Sequence, residues 1–189
     1  MTALAQFTVA PAQSRTARAA TGFSSMEALR DGRPVEIRAL RQTDVDGLMT
    51  AVAHTSAESL RRRFFGPKRT FSEREIAYFM NIDFTTQVAL VATVSEGARR
   101  TIVAGGRYVV VRPSVAELAF VVVDDYQGQG LGPKLLRHLV AIAREAGLRE
   151  LVADVLPDNQ PMLSVFQRCG LPVTARRERG AVHVTLNLA

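Results

Sequence analysis

A glycine-rich segment between a predicted strand and a predicted helix places the strongest constraint on the fold. Glycines occupy every second position in Gln127-Gly128-Gln129-Gly130-Leu131-Gly132. Residues 116–123 before it form an apolar run that predicts a strand, and the periodic apolar positions of 133–146 predict an amphipathic helix. Residues 150–155 predict another strand, which should pair in parallel with the first because a helical crossover separates them. The chain should therefore contain a β-loop-α-β unit.

The residues around this unit predict further strands and helices, and hence a mixed α/β fold. Gly105-Gly106 lie inside one predicted strand and indicate either a β-bulge or a flexible point. Thr43 is a candidate N-cap for a helix that ends near residue 53, and Ser72 and Glu75 form a predicted capping box. The other predicted strands are 35–40, 88–94, 101–111, 173–176 and 181–188, and the other predicted helices are 57–64, 72–81 and 159–169.

The length of 189 residues suits a single domain, which we expect to span residues 31–189. Residues 1–30 are predicted to be a flexible leader, with order beginning near Arg33. Residues 1–26 contain no acidic residue, a composition that is also typical of an organelle transit peptide. The interpretation adopted is the leader, in a cytoplasmic protein.

Composition excludes several classes of protein. No apolar run reaches the roughly 20 residues of a membrane span. The single Cys169 and three scattered histidines argue against a disulfide framework and a metal site. The net charge is +6, and 22 of the 24 basic residues are arginine, which binds phosphates and carboxylates well. Nucleic acid, a phosphorylated cofactor and an acidic protein all remain open as partners.

The glycine segment is suited to bind a pyrophosphate. It leaves backbone N–H groups unshielded and ends at a helix N-terminus, where the helix dipole favours an anion. The familiar nucleotide motifs fit poorly. A P-loop requires Gly-Lys-Ser/Thr where this chain has Gly132-Pro133-Lys134, and a dinucleotide-binding fingerprint requires Gly or Ala at Pro133.

The segment Gln127–Gly132 instead resembles the Arg/Gln-x-x-Gly-x-Gly/Ala signature of the GNAT acyl-CoA N-acyltransferases. The resemblance covers about residues 34–188, and it includes the order of the elements around the motif. Residues 56–66 resemble more narrowly the catalytic domain of bacterial Pat-type protein lysine acetyltransferases. The resemblance implies a central, mostly antiparallel sheet with a splayed parallel strand pair and flanking helices.

The resemblance also implies acetyl-CoA as cosubstrate, without a metal. The loop amides would bind the pyrophosphate, the pantetheine arm would pair with the edge of the preceding strand, and the helix opened by Asn159 would flank the arm. Arg168 could reach a CoA phosphate or could be a solvated helix residue. The implied cofactor-binding residues are Phe120, Val121, Val122, Val123, Gln127, Gly128, Gln129, Gly130, Leu131, Gly132, Asn159 and Phe166.

Glu117 is the candidate general base. It is the one ionisable residue in an apolar predicted strand, where partial desolvation would make its carboxylate a stronger base. In Pat-type enzymes a glutamate on this strand has that role. Backbone N–H groups near Phe120 or Val121 could polarise the thioester carbonyl. Many GNAT enzymes carry a tyrosine as general acid where this chain has Phe166.

The acceptor implied by the resemblance is an amine, with a protein lysine favoured. Arg61-Arg62-Arg63 could orient an acidic protein surface or an anionic small molecule, or could be a solvated helix face. A small amine such as an amino acid, polyamine or drug is the alternative acceptor. A non-catalytic acetyl-CoA sensor is the alternative of another class. Nucleic-acid binding is not expected, because aromatic residues are not interleaved with the basic ones.

Overall fold

A single eight-stranded sheet organises the part of the chain that the computed structural model describes, which is residues 20–189 without 69 and 98. The strands are β1 (Ser24–Ala28), β2 (Pro34–Ala39), β3 (Gln87–Glu96), β4 (Arg99–Arg112), β5 (Val115–Val122), β6 (Glu150–Val155), β7 (Val173–Glu178) and β8 (Ala181–Asn187). The helices are α1 (Val45–Ala53), α2 (Ala57–Phe64), α3 (Glu73–Met80), α4 (Leu131–Glu145) and α5 (Gln160–Gln167). Short 3-10 turns cover Gln42–Asp44 and Asp124–Tyr126.

The sheet order is β1-β2-β3-β4-β5-β6-β8-β7, and every neighbouring pair is antiparallel except β5 and β6. This topology confirms the predicted mixed α/β fold with one parallel pair. That pair is short, because only Val115, Ala116 and Glu117 have partners on β6. Beyond Glu117 the two strands are no longer paired, as the predicted splay requires.

The alternation of side chains along β3 separates two cores. Leu90 and Ala92 belong to the main core, which includes the buried stripe of α4. Ala89 and Val91 face the other way, against a smaller core to which α1 and α3 contribute. The helix α4 therefore covers one face of the sheet, and the helices between β2 and β3 cover the other.

The local signals for α2 and α3 were predicted correctly. The Ser56 hydroxyl caps α2 by accepting the Ser59 N–H, and Ser72 and Glu75 form the predicted capping box of α3. The Thr43 cap was wrong. Thr43 lies inside the 3-10 turn, and Asp44 precedes α1 instead. Asp44 forms an ion pair with Arg38 of β2, six positions earlier in the chain.

The predicted leader extended too far into the fold. Residues 24–28 form β1, which pairs with β2 along its whole length, and Leu29 is buried. Glu27 reaches α4, where it pairs with Arg137 and lies 2.8 Å from His138 Nε2. The strand lacked a sequence signal because its only large apolar residue, Met26, is exposed at the edge of the sheet. Residues 1–19 of the predicted leader lie outside the described residues.

Gly105-Gly106 do not form the bulge that was one of two predictions for them. Both pair regularly with β3, and the irregularity lies at Val103, two positions before Gly105, since Ala92 faces Ala104 and Thr93 faces Ile102. Gly106 is required by packing instead. A Cβ atom there would lie 2.9 Å from the Phe120 ring and 3.1 Å from Leu139 of α4.

Candidate active site

A cleft of about 450 Å³ opens where β5 and β6 diverge. Its walls are the exposed edge of β5, the glycine segment, the first turn of α4, and α5. It brings together most of the residues predicted to bind the cofactor, namely Phe120, Val121, Val122, Gln127, Gly128, Gly130, Leu131, Gly132, Asn159 and Phe166, and also Glu117 and Arg168.

The glycine segment has the backbone shape of an anion site. Gly128 and Gly130 have φ of 75° and 84°, which residues with a Cβ rarely adopt. Gly130 is the N-cap of α4, and no described side chain caps this helix end. Its N-terminal N–H groups are therefore not taken up by a described side-chain cap, as an anion site requires. Pro133 is the third residue of α4, not the first as predicted, and is tolerated there because first-turn N–H groups lack intrahelical partners.

Arg30, which the sequence analysis assigned to the leader, holds this segment. Its backbone N–H donates to the Gln129 carbonyl (3.2 Å), and its guanidinium donates to the Gly128 carbonyl (2.9 Å). Binding both carbonyls leaves the N–H groups of the segment for a ligand. Gln129 does not line the cleft, contrary to its prediction, and its side-chain Oε1 is buried without a partner among the described residues.

Asp124 ties the glycine segment to α2. Its carboxylate accepts hydrogen bonds from the Ser56 N–H (2.7 Å), the Ser56 hydroxyl (2.7 Å) and the Ser59 hydroxyl (2.9 Å). Burial opposes ionisation, but these hydrogen bonds hold the pKa of Asp124 below its usual value. Gln127 completes the link by donating from Nε2 to the Ser59 hydroxyl (2.9 Å) and the Val122 carbonyl (3.2 Å).

The register of β5 decides which backbone groups face the cleft. The Val123 N–H donates to the Val103 carbonyl (2.9 Å), so the groups of Val121 also face β4 and those of Phe120 face the open edge. Of the two N–H groups predicted to polarise a carbonyl, only that of Phe120 therefore points into the gap. Val123 itself is buried and is not among the residues that line the cleft, and its role in binding stays a prediction.

The helix α5 forms the opposite wall. Asn159 caps it by accepting the Met162 N–H (3.3 Å) through its side-chain oxygen. Phe166 is 1% exposed, and its ring packs edge-on against Phe120 at 6.2 Å between centroids. These two aromatic rings form the apolar floor of the gap.

Glu117 lines the cleft at the last paired position of the β5–β6 seam. Its side chain is exposed, so the burial on which the expected desolvation rested is absent from the free protein. The charge of Glu117 acts on Arg63 of α2, a cation whose pKa is shifted. Burial and the charge of Arg107 lower the pKa of Arg63 to about 10, and Glu117 acts in the opposite direction.

Comparison with known proteins identifies this arrangement. The family model described as the acetyltransferase (GNAT) family matches residues 55–171, which include α2, the glycine segment and α5. The chain belongs to the GNAT acetyltransferase family. Family membership confirms the predicted acyltransferase activity and the predicted acetyl-CoA cosubstrate.

GNAT relatives of this chain include named acetyltransferases. Acetyltransferase PA5475 of Pseudomonas aeruginosa is 32% identical over 85% of this chain and 86% of its own length. Acetyltransferase Pat of Mycolicibacterium smegmatis is 31% identical over 82% of this chain but only 46% of its own length. The crystal structure of the GNAT domain of S. lividans PAT is 32% identical, with a TM-score of 0.79 over 87% of this chain and 96% of that one. The predicted likeness to the Pat catalytic domain is thus confirmed.

The described residues contain neither a candidate metal site nor a helix that could cross a membrane. In that part of the chain, His, Cys, Asp and Glu side chains do not gather in a group of three or more that could hold a metal ion. None of the helices there has the length and apolarity needed to cross a membrane.

Proposed function

We propose that this GNAT protein transfers an acetyl group from acetyl-CoA directly to the side-chain amine of a protein lysine, with Glu117 as general base. One observation carries the proposal: Glu117, at the last paired position of β5, lies three residues before Phe120, whose N–H faces the open edge, in the same cleft as the proposed anion site. The relationship to Pat of M. smegmatis and to the GNAT domain of S. lividans PAT supports a protein acceptor.

Different walls of the cleft would bind different parts of acetyl-CoA. The uncapped start of α4 and the glycine segment would hold the pyrophosphate, with Arg30 keeping the loop carbonyls turned away. The unpaired edge of β5 offers the backbone groups of Phe120 to an extended amide chain. The side chains of Phe120 and Phe166 exclude water from the floor.

Acyl transfer from a thioester to an amine requires a deprotonated amine and a stabilised oxyanion. A lysine amine has a pKa near 10.4, so a proton must leave before or during attack. Glu117 would accept this proton at the mouth of the cleft, and the Phe120 N–H would donate to the carbonyl oxygen. Phe166 offers no hydroxyl, but a thiol with a pKa near 8.5 leaves readily as the thiolate.

We further propose a cytoplasmic protein that acts without nucleic acid or membrane partners. The single Cys169 leaves no internal disulfide, which suits a reducing compartment. The part of the predicted leader outside the described residues, 1–19, keeps its proposed role as a leader.

Replacement of Glu117 by Gln tests the base. The amide keeps the size of the side chain but cannot accept the amine proton, so we expect kcat/KM to fall by about 100-fold or more. Acetyl transfer to lysine peptides is measured by mass spectrometry and by release of the CoA thiol. Glu178→Gln on β7 is the matched control, because Glu178 lies on the far edge of the sheet. An unchanged rate in Glu117→Gln would remove Glu117 as base.

A small-amine acceptor is the second candidate function. The L-amino acid N-acyltransferase MnaT of Escherichia coli is 44% identical over 52 residues, which is 28% of this chain. The same assay separates the two acceptors, because acetylation of free amino acids but not of lysine peptides would favour the small amine. Tight acetyl-CoA binding without transfer to any amine would favour a sensor.

A further inference from the structure

The three consecutive arginines of α2 differ sharply in their partners. Arg61 pairs with Glu58 and with Asp158, and Arg62 lies 3.0 Å from Glu58 through its Nε. Arg63 has no ion pair with any described carboxylate, although it is half-buried. Of the predicted basic run, Arg63 alone thus lacks a carboxylate partner within the described structure, and its guanidinium lies over the Phe64 ring at 4.8 Å.

Arg107 on β4 is a second arginine without an ion pair to a described carboxylate. Arg107 is 9% exposed, and its Nη2 donates to the neutral amide oxygen of Gln87 (2.6 Å). Its Nε is buried without a hydrogen-bond partner among the described residues. The rings of Tyr78 and Phe79 stack against the guanidinium at 5.0 and 5.8 Å. This cation is therefore held rigidly but is not neutralised by a described carboxylate.

Both arginines line one small cavity next to the acyl-transfer cleft. The cavity, of about 90 Å³, lies between the sheet and the helices α1 to α3, and its lining includes Arg63 and Arg107. Arg63, Ala119, Phe120 and Val121 line the cavity and the cleft alike. An acceptor that reaches β5 from the side of α2 would therefore meet Arg63 in the cleft, with Arg107 next to it in the mostly apolar lining of the cavity.

The electrostatics of this corner favour an anion. Burial lowers the pKa of Arg63, and the neighbouring Arg107 adds to the effect; burial lowers the pKa of Arg107 as well. The like charges of half-buried Arg63 and buried Arg107 disfavour each other, and an unpaired buried charge is unfavourable unless a counter-ion is supplied. Glu117 is exposed and forms no ion pair with either arginine in the described structure, and its charge offsets the lowering of the Arg63 pKa only in part.

We propose that Arg63 and Arg107 bind a carboxylate of the acceptor, next to the amine that is acetylated. The inference rests on the proposed function and adds a requirement for acceptor charge. A guanidinium binds a carboxylate through two parallel N–H donors, and this geometry selects a planar anion. The carboxylate would come from an acidic residue beside the acceptor lysine, or from the α-carboxylate of a free amino acid.

Matched acceptors test the requirement. One pair is a lysine peptide with Glu next to the lysine and the same peptide with Gln there; the other is an L-amino acid and its α-amide. We expect kcat/KM to favour the carboxylate member of one pair by about tenfold or more, as for a hydrogen bond to a charged group. The pair that shows the preference identifies the source of the carboxylate.

Variants assign that preference to the two arginines. Arg63→Gln should bring the ratio for the carboxylate and amide acceptors close to one, and Arg63→Lys should restore part of it. Arg107→Lys tests the second cation without removing its charge, with thermal unfolding measured in parallel. Arg74→Gln, an exposed arginine on α3, is the matched control and should keep the wild-type ratio. A merely structural role of Arg63 would lower both rates and leave the ratio unchanged.

The outcomes separate this inference from the proposed function. Acetyl transfer with a ratio near one on both pairs in the wild-type protein would overturn the carboxylate site and leave the acetyltransferase intact. If no acceptor is acetylated, equilibrium binding of the same peptides in the presence of CoA tests the carboxylate site instead. Tighter binding of the Glu peptide that is lost in Arg63→Gln would support the site, and equal binding would overturn it.

Discussion

Arg38 and Asp44 form an ion pair that is almost closed to solvent. The two guanidinium nitrogens of Arg38 donate to the two carboxylate oxygens at 2.7 and 2.8 Å, and the side chains are 7% and 10% exposed. The Arg41 N–H adds a third hydrogen bond to Asp44 (2.8 Å). Burial opposes ionisation, yet these donors hold the pKa of Asp44 below its usual value. The pair fixes the end of β2 to the start of α1.

Asp44→Asn should destabilise the protein by about 3–5 kcal/mol, because it leaves the buried charge of Arg38 unpaired. Urea unfolding at neutral pH measures the change. Asp31→Asn is the control: Asp31 pairs with Arg33 at the surface, where the side chains are 35% and 52% exposed, and its loss should cost far less than that of Asp44. Equal costs for the two variants would contradict the prediction.

The same ion pair predicts a pH dependence. Since the folded pKa of Asp44 lies below its unfolded value, the pair stabilises the protein fully above the unfolded pKa of about 3.9. This stabilisation is lost as the pH falls through the folded pKa. The difference in unfolding free energy between wild type and Asp44→Asn should thus be constant from about pH 7 to 5 and shrink below about pH 4. A difference that does not change with pH would contradict this assignment.

At the scale of elements, the close contact of β4, β5 and α4 depends on Gly106, which has no Cβ atom. Gly106→Ala would place a Cβ 2.9 Å from Phe120 and 3.1 Å from Leu139, so we expect a loss of about 1–3 kcal/mol in unfolding free energy. Gly105→Ala is a close control, since its nearest neighbours would be 3.7 and 3.9 Å away. Thermal unfolding compares the two variants. A Gly106→Ala protein as stable as Gly105→Ala would show that β5 can move away.

The link between α2 and the glycine segment gives another prediction at this scale. Asp124→Ala removes the acceptor of three hydrogen bonds from Ser56 and Ser59, so the loop should lose its fixed position. We expect the KM for acetyl-CoA to rise roughly tenfold, since small displacements of a binding group are costly. Asp125→Ala, at the exposed neighbouring residue, should leave it unchanged. Steady-state kinetics with varied acetyl-CoA measures both, and equal KM values would contradict the link.

Elements with local signals could be predicted from the sequence. The bounds of α2 agree with the prediction because Ser56 caps it and Gly66-Pro67 follow it, and the β5-loop-α4-β6 unit follows from its apolar pattern. The start of α1 and the course of β1 could not be predicted in this way. The contacts of Asp44 with Arg38 and of β1 with β2 join segments that local patterns treat separately.

At the scale of the whole molecule, β1 belongs to the fold that supports the site. A chain that starts at residue 31 would lose the pairing with β2, the contact of Glu27 with α4 and the hold of Arg30 on the glycine segment. We expect it to unfold at a lower temperature than a chain that starts at residue 20, and to bind acetyl-CoA more weakly. Thermal unfolding and calorimetry test this. Equal behaviour of the two chains would place the domain boundary near residue 31.

The site shows the same division between local and distant causes. Ten of the twelve residues predicted to bind the cofactor line the cleft, because the motif is a continuous segment between two recognisable elements. Arg30, Asp124 and Arg107 gave no signal, since Arg30 meets Gly128 across 98 positions and Asp124 meets Ser56 across 68. The exposure of Glu117 was also missed, because an apolar sequence around a residue does not show that its strand edge is open.

The brevity of the β5–β6 pairing has a mechanical consequence. Three residue pairs join a plate of five strands, β1 to β5, to a plate of three strands, β6 to β8. This seam therefore has the fewest paired residues of any strand pair in the described sheet. An extended ligand that lies in the gap would continue the seam where the protein's own ladder stops. Its occupation would stiffen the two plates into one body, and amide exchange along both sides of the gap would then report how fully the site is filled.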